Sequence, residues 1–257
     1  MSDAAYDRIG VGYAGSRVAD PRIAKQIHAA LGDARTVLNV GAGTGNYEPA
    51  DRCVIAVEPA DTMIRQRPPN AAVTVRAVAE ALPFRTHAFD AAMAISTIQH
   101  WTKPAAGLAE LRRVAPRRVV YMSEPATPGW MWLADDYFPD MYDLVVNRTT
   151  PPVDEVADQL EDATITTVLV PADMIDASAG AFWNRPERYL DPAAQAAMST
   201  FSLLDPKAVS QGTARLRHDL TTGQWDNRHG HLRLLPHLDL GYRLIISTTE
   251  QRTDPHP

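Results

Sequence analysis

A glycine-rich turn set directly behind a short apolar run does most to restrict what this chain can become. Residues 36–40 read Thr-Val-Leu-Asn-Val and run straight into Gly41, Ala42, Gly43, Thr44 and Gly45. Five mostly apolar residues ending in glycines have the length and character of a buried strand. Such a strand belongs to a parallel sheet covered on both faces. The glycines reach backbone dihedrals closed to other residues and let a ligand approach the main chain.

The same alternation recurs along the first half. Residues 20–31 predict a helix, with Asp20 as cap, Pro21 at the first helical position and Gly32 as the stop. Residues 54–57, 73–75, 91–95 and 119–122 predict strands; 60–66 and 104–114 predict helices. Strands separated by helical segments predict an α/β fold with a doubly wound, mostly parallel sheet. Past Glu124 the pattern loosens. Residues 125–152 read as a loop-helix segment, 153–160 as a helix, and 164–170 and 241–248 as β-prone runs. Helical character reappears around 192–201 and 207–220. The expected layout is a core of residues 1–171 and 237–257 whose C-terminal hairpin carries a helical cap, residues 172–236. A separate domain is the alternative, and no Gly/Ser/Pro linker supports it.

Composition narrows the function classes. A chain of 257 residues can bury a full core. The formal net charge of −6 shows no basic face, which disfavours nucleic acid as partner. No apolar run reaches the roughly 18 residues of a membrane span, and the polar start, Met1 to Arg8, predicts no secretory leader. Cys53 is the only cysteine, so neither an intrachain disulfide nor a cysteine metal cluster is available; a reducing cytoplasm is the expected location. Its apolar neighbours predict that Cys53 is buried. His229 and His231, with His218 nearby, lack a carboxylate at a ligand spacing, so no metal site is predicted. The basic stretch 215–229 reads either as a solvated face or as a patch for an acidic substrate group.

The spacing of the glycines separates cofactor classes. A dinucleotide fingerprint needs two residues between its second and third glycines, and here only Thr44 stands between Gly43 and Gly45. Glu58 follows the second predicted strand, where a carboxylate can accept from both hydroxyls of a ribose. Further on come Ala79-Glu80-Ala81-Leu82-Pro83-Phe84 and Phe89-Asp90. Over residues 36–125 the chain resembles the class I S-adenosylmethionine-dependent methyltransferases, of the small-molecule type seen in quinone biosynthesis. It departs from them at Asn39, where an acid usually opens the first motif, and at Val78, where an acid often precedes the Ala-Glu pair.

The resemblance implies a Rossmann-like methyltransferase fold and S-adenosyl-L-methionine as cofactor. It implies cofactor contacts from Asn39, Gly41, Ala42 and Gly43, from Glu58, Pro59 and Met63, from Ala79 and Glu80 beside the adenine, and from Ser96 and Thr97 near the methionine part. Tyr13, with Tyr6, stands in an N-terminal segment that commonly folds over the cofactor in this family. Methyl transfer is an in-line substitution at a sulfonium, so the protein must align a nucleophile, exclude water and, where needed, take a proton. His100 is the candidate catalytic base, with a positioning role as the alternative. Trp130, Trp132, Tyr137 and Phe138 either wall a substrate pocket or pack a helix. The expected function is methyl transfer to a small-molecule acceptor in specialised metabolism, with Trp183, Arg185 and Trp225 of the cap tuning acceptor choice. A nicotinamide-dependent oxidoreductase and a non-catalytic cofactor-binding protein are the alternatives.

Overall fold

In the computed structural model, residues 18–249 are described. Helix α1 (Pro21–Ala30) starts as its sequence dictates: the Asp20 side chain accepts from the Arg22 backbone N–H, and Pro21 sits in the first turn. Its buried face is Ile23, Ile27 and Ala30, spaced three and four apart. Strands β1 (Thr36–Val40), β2 (Cys53–Val57), β3 (Val73–Val75), β4 (Ala91–Ile95) and β5 (Arg117–Ser123) follow, with α2 (Asp61–Arg65) and α3 (Pro104–Val114) among their crossovers. Helix α4 (Val145–Thr149) and helix α5 (Val153–Leu160) lead to β6 (Ala163–Thr167). Short strands β7 (Val170–Pro171) and β8 (His237–Leu238) pair with each other, and β9 (Tyr242–Thr248) ends the described chain.

The main sheet has seven strands in the order β3-β2-β1-β4-β5-β9-β6. Neighbours from β3 through β5 are parallel, and β9 runs antiparallel between β5 and β6. The order reverses direction at β1 and β4, so the crevice at the carboxyl ends of those strands is where a doubly wound sheet binds ligands. Alternation along the central strands assigns side chains to two cores. Val37, Met93, Val119 and Tyr121 join one cluster with α1; Leu38, Ala92, Ala94 and Val120 join the other, under α3 and α5.

Between β7 and β8 the chain is helical, with α6 (Pro192–Ala197), α7 (Ser199–Leu203), α8 (Pro206–Thr222) and α9 (Gln224–His229). This segment shares a core with the α1 face of the sheet rather than having one of its own. The Trp132 ring lies edge-on to Tyr137, Tyr189 and Trp225 at 5.9, 5.6 and 5.2 Å, and its indole N–H donates to the Trp183 carbonyl at 2.8 Å. Trp183 and Trp225 are wholly buried. They and Arg185, which donates to the carbonyls of Met174 and Ala181, build the packing of the segment and stand away from both cavities described below. None of the three lines either cavity, so an influence on acceptor choice would have to act through this packing: the large aromatic side chains are spent on the core of the segment. Trp132, Tyr137 and Phe138 pack likewise, whereas Trp130 faces a cavity.

Cys53 is exposed, against expectation. The reason is the length of β3, which pairs only with Ile55, Ala56 and Val57 and leaves the start of β2 uncovered. Three side chains of the basic stretch 215–229 are tied up internally. Arg215 donates to the Tyr137 carbonyl, Arg228 to the Tyr137 hydroxyl at 2.8 Å and to Asp219, and His229 bonds Asp136 at 2.7 Å. No basic side chain of 215–229 lines either cavity, so the stretch is not placed to receive a substrate acid there.

Candidate active site

The carboxyl ends of β1, β2 and β4 enclose a cavity of about 450 Å³. Asn39, Gly41, Ala42, Gly43, Glu58, Pro59, Met63, Ala79, Glu80, Ser96, Thr97 and His100 all line it. Tyr13, with Tyr6, lies outside the described residues.

The glycine loop is built by its neighbours. The backbone N–H groups of Gly41 and Ala42 both donate to the Val57 carbonyl, at 2.8 and 2.9 Å. Gly41 has φ +69°, and a Cβ there would stand 2.0 Å from the Thr97 hydroxyl oxygen. Gly43, with φ +51°, has the opposite situation: the nearest atom to its ideal Cβ is Met63 Cε at 3.8 Å, so the position opens on the cavity. The Glu58 carboxylate ties the loop to the end of β2, accepting from the Gly43 N–H at 2.8 Å and the Ala60 N–H at 3.0 Å.

Asn39 takes the place of the usual acid, and a carboxylate that sequence reasoning missed stands behind it. Asn39 Nδ2 donates to Glu48 at 3.2 Å, and Glu48 is bound by Arg67 at 2.5 Å. Arg67 also donates to the Gly43 carbonyl at 2.9 Å. The Glu48–Arg67 pair is nearly buried, so both ions lean on each other and on the loop. Nothing in the local sequence around Asn46 and Tyr47 marks Glu48 for this role. Asn39 Oδ1 is buried with no hydrogen-bond partner among the described residues. A buried acceptor left in that state at a cavity wall fits a ligand that brings a donor, as the ammonium of a methionine moiety would.

Glu80 lines the cavity, and one oxygen of its carboxylate also has partners outside it. One of its oxygens accepts from the Thr102 N–H, the Thr102 hydroxyl and the Lys103 N–H at 2.7, 2.9 and 3.0 Å. Burial pushes its carboxyl up, but these hydrogen bonds outweigh burial and hold it below the usual range. Its carboxylate therefore fastens the start of α3, while the residue contributes to the cavity wall. The rest of that motif is structural: Phe84 and Phe89 meet edge-on at 5.0 Å, and Asp90 accepts from the backbone N–H groups of Arg35 and Thr36 where β1 begins.

Ser96 directly follows β4 with φ +50°, a left-handed conformation for a non-glycine residue. Its N–H is anchored on the Tyr121 carbonyl at 2.7 Å, and its carbonyl accepts from Gln99 at 2.8 Å. The turn brings His100 back to the wall. Burial pulls the His100 imidazole down to about 4, so it is neutral at pH 7. A base of that strength accepts a proton weakly. Ser96 and His100 also border a second cavity of about 170 Å³, walled by Trp130, Met141, Asn147, Ser178, Met198 and Tyr242 among others. Glu124 lies there, directly after β5. Its strand-end position is the signal that singled out Glu58 and would have found it too.

A family model described as a methyltransferase domain matches residues 38–119. A solved protein of Anabaena variabilis, described as a methyltransferase from an antibiotic biosynthesis pathway, is 30% identical and superposes with a TM-score of 0.83, covering 91% of this chain and 99% of its own. A S-adenosylmethionine-dependent methyltransferase of Thermotoga maritima shares the fold at 15% identity and a TM-score of 0.52, over 88% of this chain and 87% of that one. So does phosphoethanolamine N-methyltransferase 2 of Haemonchus contortus, solved with S-adenosyl-L-methionine, at 11% identity and a TM-score of 0.54, over 90% of this chain and 53% of that one. The comparison with curated proteins returned no match. None of the three solved proteins is described as a quinone-biosynthesis enzyme, so that narrower likeness stays one of motif. With its glycine loop, its strand order and a relative that matches along nearly its whole length, this chain belongs to the class I S-adenosylmethionine-dependent methyltransferases.

Proposed function

We propose that the enzyme methylates a small molecule in specialised metabolism, in the cytoplasm, with the acceptor held in the second cavity. The observation that carries this reading is the junction: Ser96 and His100 border both cavities, so a ligand in one faces a ligand in the other. The second cavity, at about 170 Å³, suits a small acceptor rather than a polymer. The description of the Anabaena variabilis relative supports specialised metabolism.

When bound, S-adenosyl-L-methionine supplies an electrophilic methyl group and a thioether leaving group. The residues of this chain do the rest. Glu58 receives the ribose, Asn39 the ammonium, and the opening at Gly43 lets the cofactor reach the backbone. Pro59, Met63 and Ala79 wall the first cavity, and Ser96 and Thr97 close it toward the acceptor. His100, neutral at pH 7, positions the acceptor through its ring nitrogens rather than acting as a strong base. Residues 172–236 act as the substrate cap: Ala177, Ser178, Ala179, Met198, Ser199 and Thr200 reach the second cavity from that segment.

The test uses tritiated methyl donor with the full chain in an extract of small molecules and macromolecules. Label in the small-molecule fraction is expected. Label confined to protein or nucleic acid would overturn the reading.

A further inference from the structure

The second cavity has a charge pattern that methyl transfer alone does not require. Among the described residues its wall carries one acidic side chain, Glu124, and neither lysine nor arginine. His100 on the same wall is neutral at pH 7, since burial pulls it down to about 4. The remaining wall is hydroxyl, amide and apolar, with the Trp130 indole fixed by its N–H on the Leu240 carbonyl at 3.0 Å.

Glu124 is held in place by both its neighbours. Its backbone N–H donates to the Gly241 carbonyl at 2.8 Å, which joins the end of β5 to the start of β9. One carboxylate oxygen accepts from the Val153 N–H at a long 3.3 Å. Among the described residues that is a single neutral partner for a charged group at the cavity wall. An acceptor bearing a carboxylate or phosphate would meet this charge with no lysine or arginine among the described wall residues to receive its own. An acceptor bearing an ammonium would gain a charge-assisted hydrogen bond, and the Trp130 ring adds an aromatic surface that favours cations.

We propose that the acceptor is a small basic amine, anchored through its ammonium on Glu124. This rests on the reading of the second cavity as the acceptor site. Glu124 then also offsets the repulsion between the acceptor's charge and the sulfonium of the cofactor across the Ser96–His100 junction.

The test is isothermal titration of the full chain, loaded with S-adenosylhomocysteine, with benzylamine, benzyl alcohol and benzoate as probes of matched size. Benzylamine is expected to bind at least about tenfold more tightly than benzoate, with the alcohol between them. In Glu124→Gln, which keeps an acceptor for the Val153 N–H, the amine and acid should converge to within about twofold, with S-adenosylhomocysteine affinity unchanged. Benzoate binding as well as benzylamine, a preference that survives Glu124→Gln, or no amine binding beside the bound cofactor product would overturn the proposal. Benzylamine displacing S-adenosylhomocysteine would instead show that the second cavity is not the acceptor site, and both readings would fall.

Discussion

Gly41 and Gly43 stand two residues apart in one loop, both with positive φ, and the structure gives them opposite tasks. At Gly41 a Cβ would lie 2.0 Å from Thr97 Oγ1 and 2.8 Å from Thr97 Cβ. Gly41→Ala therefore combines a left-handed backbone, about 1–2 kcal/mol, with overpacking of about 1–3 kcal/mol. The sum, about 2–5 kcal/mol, corresponds to a fall in Tm of about 4–20 °C for a chain of this size. At Gly43 the nearest atom is 3.8 Å away, so Gly43→Ala carries the backbone cost alone. Its methyl group, however, enters the cofactor cavity. Gly41→Ala should thus lower Tm more than Gly43→Ala in the ligand-free protein. Gly43→Ala, and more so Gly43→Val, should lose S-adenosylhomocysteine binding while staying folded. Thr97→Ala should recover part of the stability lost in Gly41→Ala, because it removes the closest clashing atom. Thermal denaturation and calorimetric titration of the variants check this. A Gly41→Ala variant with unchanged Tm, or a Gly43→Val variant that binds normally, would refute the reasoning.

Other residues give sharper single tests. Glu58→Ala should weaken S-adenosylhomocysteine binding by about 1.5–3 kcal/mol, read by calorimetry, because it removes a charged acceptor and releases the Gly43 N–H. Trp225→Ala should cost about 3–5 kcal/mol of stability, read by denaturant unfolding, because a wholly buried ring leaves a cavity among Trp132 and His229. His100 has a folded pKa of about 4 against an unfolded 6.5, so the unfolded chain binds the extra proton between those values. Stability should fall as pH drops from about 6.5 toward 4, and His100→Gln should flatten that slope in unfolding curves taken across the window.

The sheet was legible because its central strands are short apolar runs with turn residues after them, and Leu38, Met93 and Val120 have no other place to go than a covered sheet. The cofactor cavity was legible because its residues are close in sequence to those strand ends. What escaped was set by tertiary contact. Glu48 gains its role only when the loop folds back on Asn39 and Arg67. Glu80 carries a family motif, and the motif does not show that one oxygen of its carboxylate also binds the backbone of Thr102 and Lys103. Cys53 looks apolar in context and is exposed only because β3 is short. In the helical segment, tryptophans attract attention as binding residues, but Trp183 and Trp225 fill a core that no local periodicity reveals.

A crystal structure with S-adenosylhomocysteine bound tests the central claim most directly. The account predicts the ribose on Glu58, the ammonium on Asn39 Oδ1, and the sulfur at the Ser96–His100 junction, facing the second cavity. A sulfur sealed from that cavity, or a ribose placed away from Glu58, would contradict it.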